Sequence, residues 1–201
     1  GVQIPPSPLY KLLKHKVAMQ KVFKHYKLFS NYPWINPDSH VTPPYLVIGD
    51  DLDALLSAAL WNTVSARDWK IIGVYHKYEK IVTATRYHRD LGNAIWLDLD
   101  INSYTIKSIG HHLIFPDSSA KLTSNHLNLN YLGKISCKNF RKKYPLGTIH
   151  FLMYLFDNDI PECKFAREMI LSADSTWING QKHRFRKNVK RWIYNCIPIR
   201  G

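Results

Sequence analysis

The sequence predicts an α/β fold, a mostly parallel sheet with helices on both faces, and three observations predict it. Tyr45-Leu46-Val47-Ile48 is an apolar run that breaks abruptly into Asp50, Asp51 and Asp53, and an Ala/Leu-rich stretch with helical character follows over 52–65. Ala94-Ile95-Trp96-Leu97 is a second short apolar run, and it too ends in acids, Asp98 and Asp100. Short continuous apolar runs alternating with helical stretches are the pattern of strands buried on both faces of a parallel sheet.

The elements follow in order. Ser7-Pro8 reads as an N-cap and first-turn pair, opening a helix to about Phe29 with Leu12, Leu13, Val17, Val22, Phe23 and Tyr26 on its apolar side. Residues 32–44, with Pro33, Pro37, Pro43 and Pro44, read as a loop. Strand 45–48, helix 52–65, strands 70–75 and 94–97, and a further strand at 105–109 make the front half. Helices at about 146–156 and 162–171 precede Asp174, and an amphipathic helix over 181–194 closes the chain. The expected organisation is an N-terminal helix and Pro-rich loop (1–44), an α/β domain (45–177) and a basic C-terminal helix and tail (178–201).

At 201 residues the chain is long enough for one α/β core. No apolar run is long enough to span a bilayer and no signal peptide is evident. Cys137, Cys163 and Cys196 are widely spaced and read as reduced thiols, so the expected compartment is the cytoplasm and no membrane is expected as partner. There is no internal repeat, Walker loop or Gly-x-Gly-x-x-Gly.

The acids carry the chemistry. The carboxyl ends of parallel strands are where α/β proteins place their sites. Carboxylates crowded there repel one another unless something cationic neutralises them, and a divalent metal does so most simply. A solvated helix N-terminus accounts for one Asp, which caps and opposes the dipole, but poorly for three. Thirteen residues after Asp98 comes His111, in Ile109-Gly110-His111-His112-Leu113-Ile114, a His pair among apolar residues. Carboxylate and imidazole together suit Mn²⁺, Fe²⁺ or Zn²⁺ better than Ca²⁺.

This ordered set resembles the DHH phosphoesterase superfamily, which includes RecJ-type exonucleases, oligonucleotide and cyclic-dinucleotide phosphodiesterases and manganese pyrophosphatases. The resemblance runs over about residues 45–177. It rests on Asp51-Leu52-Asp53 with Ser57-Ala58, on Asp98, on Gly110-His111-His112, on Pro145-Leu146-Gly147-Thr148, and on Ser172-Ala173-Asp174-Ser175-Thr176. Each motif is short, and their order is the specific part. The resemblance implies a DHH-like domain with a Mn²⁺ site at Asp53, Asp98, His111 and Asp174, with Asp98 bridging to a second metal held also by Asp51. It implies that His112 contacts the substrate phosphate.

The sequence also departs from that pattern. Where the family has a ligand just upstream of Asp-x-Asp, Val47 and Gly49 occupy the offsets, and Asp50 would substitute only with altered geometry. Gly110 stands where the name-giving Asp would be, so restoring an acid there is expected to raise activity. Ala54 replaces the glycine after Asp-x-Asp, and the connection from Asp98 to His111 is short for a helical crossover. The resemblance implies a second, substrate-gripping domain with a Gly-rich, His-containing motif, and no such motif occurs in residues 175–201, so a protein partner or a second copy of the chain is expected as a candidate to supply that grip.

Charge is the other informative feature. The formal net charge is +13 and the isoelectric point about 9.6, which points to a polyanion. Lys11, Lys14, Lys16, Lys21, Lys24 and Lys27 lie on the first helix. Arg184, Arg186, Lys187, Lys190 and Arg191 cluster in the last, beside Phe185, Val189 and Trp192, as candidate nucleic-acid contacts. Two readings stay open. One is a Mn²⁺-dependent phosphodiesterase or exonuclease acting on a nucleic acid or nucleotide. The other is a catalytically weakened DHH-like module that binds nucleic acid or a protein partner.

Overall fold

The structure, a computed structural model, describes residues 28–76, 80–114, 122–159, 161–176 and 183–192. The predicted first helix and its lysines therefore lie outside the described residues, apart from its last turn. Among the described residues six strands form one sheet: β1 Tyr45–Gly49, β2 Lys70–His76, β3 Lys80–Thr83, β4 Ile95–Leu97, β5 Lys107–Gly110 and β6 His126–Asn128. Their order is β3-β2-β1-β4-β5-β6. Every pairing is parallel except β2 with β3. The mostly parallel α/β fold expected from the sequence is therefore present.

Among the described residues the sheet is accompanied by α1 Leu52–Val64, α2 Leu129–Leu132, α3 Thr148–Leu155, α4 Lys164–Ser172 and α5 His183–Arg191. The strict alternation along each strand divides the core between the two faces. Leu46 and Ile48 of β1, Ile95 and Leu97 of β4, Ile109 and Leu127 face Ala54, Ala58 and Trp61 of α1 and Leu152 and Leu155 of α3. Val47 and Trp96 point the other way, into a smaller cluster with Ile72, Tyr87 and Leu91, the last two from the 3-10 turn Thr85–Asp90 and the residue after it. Trp61 anchors the larger core with edge-on contacts to Trp69 and Phe156 at 5.7 and 5.6 Å. Its truncation to Ala is worth about 3–5 kcal/mol in such a setting.

Two strands are absent from the sequence reading. β3 pairs antiparallel at the sheet edge and is half exposed. β6 is only three residues long and carries His126 and Asn128 with fully buried polar side chains, so hydropathy gives no sign of it. The chain passes from β4 to β5, its parallel neighbour, without a helix, as the short spacing between Asp98 and His111 anticipates. Asp98 makes the turn off β4 with a left-handed backbone (φ 57°), a conformation Asp tolerates better than most residues. β1 sits between β2 and β4, so the chain reverses direction across the sheet at the β1/β4 junction. That junction is where an open parallel sheet leaves a crevice beyond its carboxyl ends. Among the described residues no helix is long and apolar enough to cross a membrane.

Candidate metal centre

Three neighbouring parallel strands deliver the site. Asp51 and Asp53 follow β1, Asp98 follows β4 and His111 follows β5, while Asp174 comes from the 3-10 turn Ala173–Ser175 after α4. Asp53, His111 and Asp174 offer donor atoms within 4.8 Å of one another, and so do Asp98, His111 and His112. Asp53, Asp98 and His111 are buried, and Asp174 is partly so. Asp174 also has a left-handed backbone (φ 49°). Such strain in a non-glycine residue costs about 1 kcal/mol or more and persists where the surroundings enforce it.

Helix α3 is aimed at this cluster. Its first backbone N–H groups donate to Asp53, Thr148 to Oδ2 at 2.6 Å and Ile149 to Oδ1 at 2.8 Å. The approach requires Gly147. A Cβ there would stand 2.5 Å from Asp53 Oδ2, although the glycine's own φ of −80° is open to any residue. The Thr148 hydroxyl donates to Asp98 Oδ1 at 2.7 Å, which leaves its oxygen to accept from His111 Nδ1 at 3.0 Å. His111 Nδ1 also lies 3.3 Å from Asp98 Oδ1, and its Nε2 pairs closely with Asp174 Oδ2.

The electrostatics follow from this crowding. Burial, then the neighbouring Asp98 charge, push the Asp53 carboxyl well above the usual carboxylate range. Burial also raises Asp51, whose carboxyl lies within hydrogen-bond reach of Asp98. Burial disfavours a charged His111, but its hydrogen bonds to Asp174 and Asp98 win and hold it well above the ordinary value. Asp174 is lowered, the His111 contact outweighing its burial. In the absence of metal, an imidazolium thus neutralises part of the carboxylate charge.

The donors fit a divalent cation. Each carboxylate oxygen engaged by an N–H or hydroxyl keeps a second lone pair, and the imidazole offers a nitrogen once deprotonated. Oxygen and nitrogen together suit Mn²⁺, Fe²⁺ or Zn²⁺. Asp51 is placed differently: it caps α1, accepting from the Ala54 N–H at 3.0 Å, and lies outside the two three-donor groups. Asp50 is exposed and pairs with His76 Nδ1 at 3.5 Å. Position 49 faces the site without a side chain, since a Cβ on Gly49 would lie 3.9 Å from Asp98 Oδ2.

Beside the cluster lies a second network that sequence reasoning did not assemble. Asp100 is buried under Gly110. Its Oδ2 accepts from the His112 N–H at 2.8 Å and lies 3.2 Å from His112 Nδ1. Its Oδ1 meets His126 Nε2 at 3.0 Å and accepts from Asn128 Nδ2. Burial works against this charge, but His112 and His126 hold the carboxyl far below the usual range. A Cβ on Gly110 would stand 2.5 Å from the Asp100 carboxyl carbon. A carboxylate already fills the space that an acid at position 110 would take, so an acid added there does not restore a missing group. Asn130 ties this side together, donating to the His111 carbonyl and accepting from the Tyr144 N–H at 2.7 Å. The only sequence signal for the network is the Asp98-Leu99-Asp100 alternation.

The expected nucleic-acid contacts are partly described. α5 is present, with Arg186, Lys187 and Lys190 exposed and Val189 and Trp192 buried. The side chains of Arg184, Phe185 and Arg191 lie outside the described residues. Compared with protein-family models, with curated proteins and with solved structures, the chain matches none.

Proposed function

We propose that this chain is a metal-dependent phosphoesterase of the DHH superfamily, hydrolysing phosphodiester bonds in a nucleic acid or nucleotide with Mn²⁺ as its metal. One observation carries the reading. Asp53, Asp98, His111 and Asp174, far apart in sequence, converge at the β1/β4 crevice, where burial and mutual repulsion leave Asp53 in need of a cation.

When bound, a divalent cation supplies Lewis-acid activation of water and of the phosphate. The chain's own residues hold and align the rest. Helix α3 fixes Asp53 through two backbone N–H groups, and Thr148 sets the spacing of Asp98 and His111. His112, its Nδ1 turned to Asp100, keeps Nε2 available for a phosphate oxygen. A catalytically weakened binding module is the second reading, favoured by the bare Gly49 and by the diversion of Asp50 to His76.

Calorimetry on chelator-treated protein tests the metal, and hydrolysis of bis(p-nitrophenyl) phosphate and of labelled oligonucleotides tests the chemistry. The expected result is one tightly bound Mn²⁺ with Mn²⁺-dependent turnover, both abolished in Asp98→Ala. Failure to take up Mn²⁺ or Zn²⁺ would overturn the metal centre. Uptake without turnover on any phosphodiester would leave the weakened module.

A further inference from the structure

A second surface, on the flank of the candidate metal centre, combines cations with an exposed aromatic ring. It is built on the 3-10 segment Cys137–Lys142, where Lys138, Phe140, Arg141 and Lys142 are exposed. Helix α5 packs against this segment. Asn188 Nδ2 donates to the Lys143 carbonyl at 2.7 Å and Trp192 Nε1 to the Lys142 carbonyl at 2.7 Å. Arg186, Lys187 and Lys190 of α5 are exposed as well, with Arg186 and Lys190 on the side of the helix opposite Asn188 and Trp192. No Asp or Glu occurs between Asp117 and Asp157, and none after Asp174, so neither stretch carries an acid of its own to offset these charges.

Aromatic contacts link the surface to the crevice. Trp192 packs edge-on against Tyr144 (5.2 Å), and Tyr144 packs against His111 (6.0 Å). Lys143 is half-buried, and its charge adds to the lowering of the Asp174 carboxyl that His111 chiefly causes against burial. The Phe140 ring is 52% exposed, although a residue of its size normally hides in a core. Lys143 Nζ lies 5.1 Å from its centroid, covering one side of the ring.

We infer that this surface binds a single-stranded polynucleotide, with an unpaired base stacked on Phe140 and the backbone phosphates held by Lys138, Arg141 and Lys142. A cationic track with an exposed ring is the arrangement that holds single strands without reading sequence. Duplex keeps its bases stacked inside and offers the ring nothing. An anionic membrane fits less well, because interfacial binding needs a wide apolar face and this segment exposes one ring. This inference rests on the phosphoesterase reading only for what the strand is brought to. Binding itself needs no metal.

The test is fluorescence anisotropy of a labelled oligo(dT) with the full chain in EDTA, titrated across NaCl concentrations. Phe140→Ala should weaken binding about tenfold and leave the salt slope unchanged, since stacking on one base is lost and no phosphate contact is. Lys138→Gln with Arg141→Gln should flatten the slope by about 1.4, two contacts at about 0.7 each. All three substitutions are at exposed positions, and an unchanged unfolding midpoint confirms intact variants. Unaltered affinity in Phe140→Ala, or tighter binding of duplex or of phosphatidylserine vesicles than of single strand, overturns the proposal. Phe140-dependent binding without Mn²⁺-dependent hydrolysis upholds the surface and removes the phosphoesterase. Hydrolysis of bis(p-nitrophenyl) phosphate without salt-sensitive strand binding does the reverse.

Discussion

Gly110 and Asp100 show how a single missing side chain is read differently from sequence and from structure. In sequence, Gly110 is an acid lost beside a His pair. In the fold, the space beneath it belongs to Asp100, whose carboxylate is held by the His112 N–H, His126 and Asn128. Gly110→Asp would press a second carboxylate against the first inside the protein. Overpacking and like-charge repulsion together predict a loss of about 3 kcal/mol, read as a lowered urea midpoint, with no gain in turnover. The exchange Asp100→Gly with Gly110→Asp should recover part of that loss, because it returns one carboxylate to the same pocket. Full stability in the single variant would show that the pocket tolerates two acids.

At the scale of elements, the start of α3 is as much a part of the candidate centre as its donors. Gly147→Ala would drive a methyl to 2.5 Å from Asp53 Oδ2, so the helix must retreat and its two N–H bonds to Asp53 lengthen. The expected cost is about 1–3 kcal/mol in stability. Mn²⁺ affinity should fall at least tenfold, as when a residue that orients a ligand is lost. Denaturant unfolding and calorimetry read the two effects separately, and unchanged Mn²⁺ affinity would show that α3 does not orient Asp53. Residues 45–64 and 94–98 were legible in sequence because buried parallel strands must be apolar throughout and must stop where polar groups begin. The acids at those stops marked the rim for the same reason. β6 was not legible, since His126 and Asn128 are buried by hydrogen bonding to Asp100, a partner that only the folded chain brings near. β3 was missed because an edge strand can be half exposed. Phe140 and its neighbours were passed over because a 3-10 segment has no periodic signature, and its importance comes from α5 packing beside it.

At the scale of the whole molecule, Asp53, Asp98, Asp100 and Asp174 gather at the carboxyl rim of the sheet, and the cations of Cys137–Lys142, without acidic neighbours in sequence, lie on its flank. The rim links β1, β4, β5, α3 and the turn after α4, so its charge state bears on the stability of the entire fold. His111 has a folded pKa above its unfolded value of about 6.5, so its contribution to stability is complete below that pH. That contribution is lost as pH rises through the folded value. Asp53, also raised, acts in the same direction, and its contribution too declines with increasing pH. Asp100 and Asp174 are lowered and act oppositely, stabilising above about pH 4 and losing that effect as acid protonates them. The metal-free protein should therefore be most stable in mild acid and lose thermal stability as pH rises above about 6.5. Mn²⁺ should reverse this trend, because it replaces the His111 proton and binds more tightly as that proton becomes easier to remove. At a hundredfold excess over its Kd, one bound ion stabilises by about 2.7 kcal/mol, or roughly 5–10 °C for a chain of this length. Asp98→Asn, which suits the same left-handed backbone, should fold yet show no Mn²⁺-dependent rise. Melting curves that coincide with and without Mn²⁺ across this pH range would show that the rim holds a proton and nothing more.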